Sequence, residues 1–68
     1  MDLLILKTGK EYIRVKPDGF HVVGLDKASV FPMDQIRKVR EYEARLQDQN
    51  FPDICIKKLV LSEQDLNN

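Results

Sequence analysis

Apolar and polar positions alternate along this chain in two rhythms, one helical and one extended. Between Phe31 and Pro52 the helical rhythm holds. With Ile36 as origin and about 100° per residue, Val39, Tyr42 and Leu46 fall within about 120° of one another. Arg37, Arg40, Glu41, Arg45, Gln47 and Asp48 take the opposite side. Pro32 suits the first helical position, and Asp34 then meets the positive end of the helix dipole. At the far end Asn50 accepts the left-handed conformation, Phe51 folds back on Leu46, and Pro52 stops propagation. A helix over Phe31–Pro52 is therefore expected, and no other stretch carries a long helical pattern.

The extended rhythm covers the rest. Leu3 to Leu6 is a short apolar run that enters a turn at Lys7–Thr8–Gly9–Lys10. From Glu11 to Lys16, Ile13 and Val15 point one way while Tyr12, Arg14 and Lys16 point the other. A turn of two or four residues sets Leu4 and Leu6 beside Ile13 and Val15; an odd loop swaps the faces. Lys16–Pro17–Asp18–Gly19–Phe20 is the clearest turn: proline presets a dihedral, Asp18 bonds locally, and Gly19 supplies positive φ. As a type I turn with a glycine bulge it sets Lys16 opposite Phe20. Val23 and Leu25 then join the Ile13/Val15 face, and Phe20 and Val22 lie beside Arg14 and Lys16. Gly24 marks a bulge or a close backbone approach. Ala28–Ser29–Val30 reads as a short fourth strand or as an extended lead into the helix. Ile54 to Leu61 is a final strand, apolar on both faces, with its alternation broken at Lys57–Lys58.

The predicted class is α+β: a small antiparallel sheet of four or five strands, ordered β-β-β-(β)-α-β, with one long helix on one face. The last strand is expected beside the first, making those two the inner strands. Residues 1–62 form a single domain in this reading, and 63–68 a polar, frayed tail. One helix covers only one side of the sheet. The face opposite it is then left with Leu3, Ile5, Tyr12 and, from the last strand, Ile56, Leu59 and Leu61. Two-faced apolar strands of this kind are normally buried on both sides. These residues are the candidate interface for self-association or for a partner protein, because a monomer rarely exposes so large an apolar patch.

Composition narrows the picture. At 68 residues there is room for one domain. Lys plus Arg and Asp plus Glu are 11 each, so net charge is zero and no global field recruits nucleic acid or membrane. One cysteine excludes an internal disulfide and suits a cytoplasmic location; no stretch is long enough to cross a bilayer.

Candidate chemistry is sparse. His21 and Cys55 are each single, so they build no structural zinc site, and nothing places them together as a nucleophile–base pair. The carboxylates are accounted for by turns and the helix, and no glycine-rich phosphate loop precedes it. No metal, cofactor or catalytic role is expected. The helix's basic residues Arg37, Lys38, Arg40 and Arg45 are offset by Asp34 and Glu41 four residues before Lys38 and Arg45. A second basic group, Lys7, Lys10, Arg14 and Lys16 with Tyr12 and in this register Phe20, resembles a platform for single-stranded nucleic acid. That is the alternative function, weakened by the zero net charge.

Overall fold

A computed structural model describes residues 2–60, so Leu61 and the expected 63–68 tail lie outside the described residues. Strand β1 (Asp2–Thr8) is central. It pairs along its whole length with β5 (Ile54–Val60), from Asp2 opposite Val60 to Thr8 opposite Ile54. Its other edge is shared. Near its end it pairs with β2 (Glu11–Lys16), through Lys7 opposite Tyr12 and Thr8 opposite Glu11. Near its start it pairs with β4 (Val30–Pro32), from Leu3 opposite Pro32 to Ile5 opposite Val30. Strand β3 (Gly19–Val23) flanks β2, and every pairing is antiparallel. The last strand does return beside the first, but it is an edge strand among the described residues, not an inner one.

The sheet forks where β2 leaves β1, and Ser29 fills the fork. Its N–H donates to the Ile13 carbonyl at 3.1 Å, and its Oγ accepts the Val15 N–H at 2.9 Å. The next residue, Val30, is already paired with Ile5 of β1. One serine therefore satisfies backbone groups of β2 that would otherwise be orphaned where the strands separate. Val30 is a strand residue as well as part of the lead toward the helix.

The helix begins later than its pattern suggests. Phe31 and Pro32 belong to β4, Met33–Gln35 form a 3-10 turn, and helix α1 spans Ile36–Asp48. Pro32 is extended, at φ −67° and ψ 156°. The fixed φ of proline suits a strand end as well as a helix start, and here β1 takes it. The C-terminal end follows expectation. Asn50 sits at φ 64°, its N–H donates to Gln47 O at 3.0 Å, and the Phe51 N–H donates to Leu46 O at 3.1 Å. These two bonds are the Schellman arrangement. Asn50→Ala should cost about 1 kcal/mol, because alanine lacks the short polar side chain that lets asparagine tolerate this region, while Asn50→Gly, which has no Cβ to crowd the carbonyl, is neutral or stabilising; urea unfolding measures both.

Leu4, Leu6, Ile13, Val39 and Leu46 form the core, with Val15, Phe20, Phe31, Ile36, Tyr42, Phe51, Ile54 and Ile56 packed around them. The stripe Ile36–Val39–Tyr42–Leu46 thus faces the sheet as predicted. The β1–β2 register sets Lys7 opposite Tyr12 and Thr8 opposite Glu11 through the two-residue turn Gly9–Lys10, which puts Leu6 and Ile13 on the same face.

The β2–β3 turn corrects the expectation. Lys16 pairs with Gly19 and Val15 with Phe20, so the loop is Pro17–Asp18 with no bulged residue. Gly19 at φ 141° occupies backbone that only glycine enters readily. This one-residue difference turns over the whole strand. Phe20 and Val22 share the Ile13/Val15 face, and Phe20 meets the Tyr42 ring edge-on, centroids 5.8 Å apart. Val23 moves to the opposite face, opposite Tyr12. Leu25 lies in a 3-10 turn (Leu25–Lys27), half exposed. Gly24 is not a bulge: it ends the strand and caps this turn, with its carbonyl accepting the Lys27 N–H.

Candidate functional site

Register assigns each strand residue to a face. Partners across an antiparallel pair share a side, so Leu4, Leu6 and Thr8 with Ile54, Ile56, Lys58 and Val60 lie on the helix side. Ile56 is therefore part of the core surround, not of the face opposite the helix. The interrupted rhythm at Lys57–Lys58 hid this, since each lysine simply takes its turn on one face.

The opposite face carries Leu3, Ile5 and Lys7 of β1, with Cys55, Lys57 and Leu59 of β5. From the hairpin it carries Tyr12, Arg14, Lys16, His21 and Val23. Its centre is drier than expected. Ile5 is 2% exposed, although no helix covers it. It stands between Val30 on one neighbouring strand and Lys57 on the other, at the short cross-strand spacing of an antiparallel sheet. The aliphatic stem of a lysine shields apolar neighbours in this position while its charge stays in water. Leu3, Tyr12, Cys55 and Leu59 are half-buried. The large apolar side chains standing most exposed, Val22, Leu25, Val30, Met33 and Val60, lie mainly at strand ends, edges and turns.

The charges are arranged unevenly. Lys7, Arg14, Lys16 and Lys57 all occupy this face, and among the described residues no carboxylate occupies a strand position on it. The Lys7 ammonium lies over the Tyr12 ring, 5.5 Å from its centroid, a cation–π contact. Lys10 is in the β1–β2 turn, exposed. Of the residues expected to form a basic hairpin surface, Lys7, Tyr12, Arg14 and Lys16 do share a side. Phe20 does not. Sequence reasoning passed over Lys57, whose place follows from β5 alternation once the β1–β5 register is known.

His21 and Asp18 form an exposed pair at the hairpin tip, with Nε2 to Oδ1 at 3.1 Å. An ionised carboxylate only accepts, so Nε2 carries the hydrogen. This hydrogen bond from His21 holds the Asp18 carboxyl below its ordinary value of 3.8. A depressed carboxyl stabilises the fold above that ordinary value, and the contribution is lost as pH falls through the folded value. His21→Ala should raise the Asp18 titration midpoint, read by carboxyl carbon NMR.

On α1 the basic residues Arg37, Lys38, Arg40 and Arg45 are exposed. The Asp34–Lys38 and Glu41–Arg45 pairs do not close into ion pairs in the structure; the described ones are His21–Asp18 and Lys58–Asp2. Exposed pairs gain little over solvation, which leaves such side chains apart.

No catalytic arrangement is assembled among the described residues. His21 on β3 and Cys55 on β5 share a face, but β2 and β1 stand between them. Three strand spacings amount to about 14 Å, far beyond hydrogen-bond reach. No cluster of His, Cys, Asp and Glu able to hold a metal occurs among the described residues. An open groove of about 340 Å³ lies between the hairpin tip and α1, with Phe20, Tyr42, Arg45 and Gln49 in its walls; Lys16, at the very end of β2, also borders it although its strand position is on the other face. It holds no nucleophile–base pair. No described helix is long and apolar enough to cross a membrane. No family model, curated protein or solved structure matches this chain.

Proposed function

We propose that the chain is a non-enzymatic interaction module whose sheet face opposite α1 docks a partner protein of acidic surface. One observation carries this reading: Lys7, Arg14, Lys16 and Lys57 occupy strand positions on the same side of the sheet as half-buried Leu3, Cys55 and Leu59, and among the described residues no strand carboxylate lies on that side. Cations at the rim of an apolar patch steer a negatively charged partner and fix its register. The same arrangement opposes face-to-face association of two copies. A twofold contact there sets lysine and arginine against their own kind.

Nucleic acid is the second reading, favoured by Lys7 and Tyr12 in contact. Single-strand platforms stack two or three bases on aromatic rings. Among the described strand residues this face offers Tyr12 alone, its ring already against an ammonium, because Phe20 packs on the helix side. The acidic protein is therefore the better fit.

Charge reversal separates the readings. Poly-L-glutamate should bind the full chain at low salt, and Arg14→Glu with Lys57→Glu should weaken it by about tenfold or more. Arg37→Glu with Arg40→Glu on α1 should leave binding in place. Equal loss in both double variants, or no binding at low salt, contradicts the proposal. Tighter binding of oligothymidylate, lost in Tyr12→Ala, replaces it with the nucleic-acid reading.

A further inference from the structure

Among the described residues β3, β4 and β5 each pair with a single strand; β4 is three residues long and ends in Pro32, while the two longer ones, β5 and β3, are protected very differently. Strand β5 is seven residues long and carries Lys57 and Lys58 at its middle, one on each face. Paired lysines on a free edge discourage another strand from adding there. Strand β3 pairs only with β2 among the described residues, and Gly19–Val23 contains no lysine, arginine, carboxylate or proline. Val22 on that strand is 47% exposed, and Leu25 just beyond it is 51% exposed. An unguarded edge beside exposed apolar side chains is a template for strand addition.

We infer that the outer edge of β3 pairs antiparallel with β3 of a second copy of this chain, centred on His21. In this register Phe20 of each copy faces Val22 of the other, on the helix side of the sheet. Aromatic and β-branched residues are a favourable cross-strand combination. Val23 meets Gly19 on each flank. His21 meets its twin, each already held to its own Asp18. A charged strand from another protein finds no charge on β3 to answer it, whereas this strand matches itself. Antiparallel pairing sets the twofold axis perpendicular to the sheet. Both helices then lie on one side, and the two cationic faces join side by side on the other. The dimer would therefore widen the face assigned above to an acidic partner without covering it.

A five-residue pairing falls below the roughly 1,200 Å² of a standard stable interface, so the association is weak. Sedimentation equilibrium of the full chain from about 10 μM to about 1 mM spans the range where such contacts form. The average mass should climb toward twice that of the chain. Val22→Lys, at an exposed position, should remain monomeric throughout, and Val60→Lys on β5 should dimerise like the unmodified chain. Exchange of the β3 backbone amides should slow as concentration rises, a readout independent of the variants. A monomer across the range, a dimer that survives Val22→Lys, or one lost in Val60→Lys overturns the inference. Binding of poly-L-glutamate by Val22→Lys tests the acidic-partner reading separately, since that position lies off the cationic face.

Discussion

Leu46→Ala should remove about 3 kcal/mol or more of stability, the largest loss expected from any single truncation here. Leu46 is 0% exposed, at the last turn of α1 where the helix presses on Leu6 and Ile13. Buried Leu→Ala changes cost about 2–5 kcal/mol, through lost transfer energy and the cavity left behind. A domain of this length has about 3–10 kcal/mol in total. Phe51, whose N–H donates to the Leu46 carbonyl, packs against the same core cluster, so the truncation also removes apolar contact at the helix end. In urea the midpoint should fall sharply while the slope holds, which marks lost stability rather than a changed unfolded state.

The second large effect concerns Ile5. Its side chain points away from α1, yet it is as buried as the core, so Ile5→Ala should cost about 2–4 kcal/mol. Leu3→Ala, at a half-buried neighbour on the same face, should cost about 1 kcal/mol. The contrast follows burial, not the number of flanking strands. Ile5, mid-strand between Val30 and Lys57, is 2% exposed, whereas Leu3, between Pro32 and Leu59 near the strand's beginning, is only half-buried. Lys57→Ala should destabilise through lost shielding of Ile5, by an amount that salt does not change. A loss that disappears at high salt would assign the effect to charge instead.

Much of the architecture was legible in the chain because its signals were local. The stripe on α1 follows from helical spacing, and the Asn50–Phe51–Pro52 ending follows from the conformations those residues accept. The first hairpin was legible because an even loop leaves only one pairing that buries Leu6 with Ile13. What failed turned on choices of a single residue. Around Pro17–Asp18–Gly19 a two-residue loop and a bulged turn use the same residue types, and they put Phe20 on opposite faces. The packing of Phe20 on Tyr42, from a distant helix, decides between them. Pro32 fits a strand end and a helix start equally well, and pairing with Leu3 settles it. Ile56 lies on the helix side, contrary to expectation, because Lys57–Lys58 conceals an unbroken alternation.

The candidate site was legible only in part. Lys7, Tyr12, Arg14 and Lys16 could be grouped from β2 alternation and one tight turn. Lys57 required the long-range register between the ends of the chain. The burial of Ile5 required three strands at once. Together these changed the face opposite α1 from a bare apolar surface into a shielded one rimmed by cations. The fork at Ser29 matters here too. Because Ser29 satisfies both Ile13 and Val15, β2 can diverge from β1 without orphaned backbone, and Arg14 and Lys16 are carried outward with it.

The claim that this face is the working surface is tested most directly by amide shift mapping. The isotopically labelled chain is titrated with poly-L-glutamate at low salt. Shifts should concentrate at Lys7, Tyr12, Arg14, Lys57 and Leu59, with the outer side of α1 unmoved. Shifts centred on Arg37, Arg40 and Arg45, or none at saturating peptide, would contradict that claim.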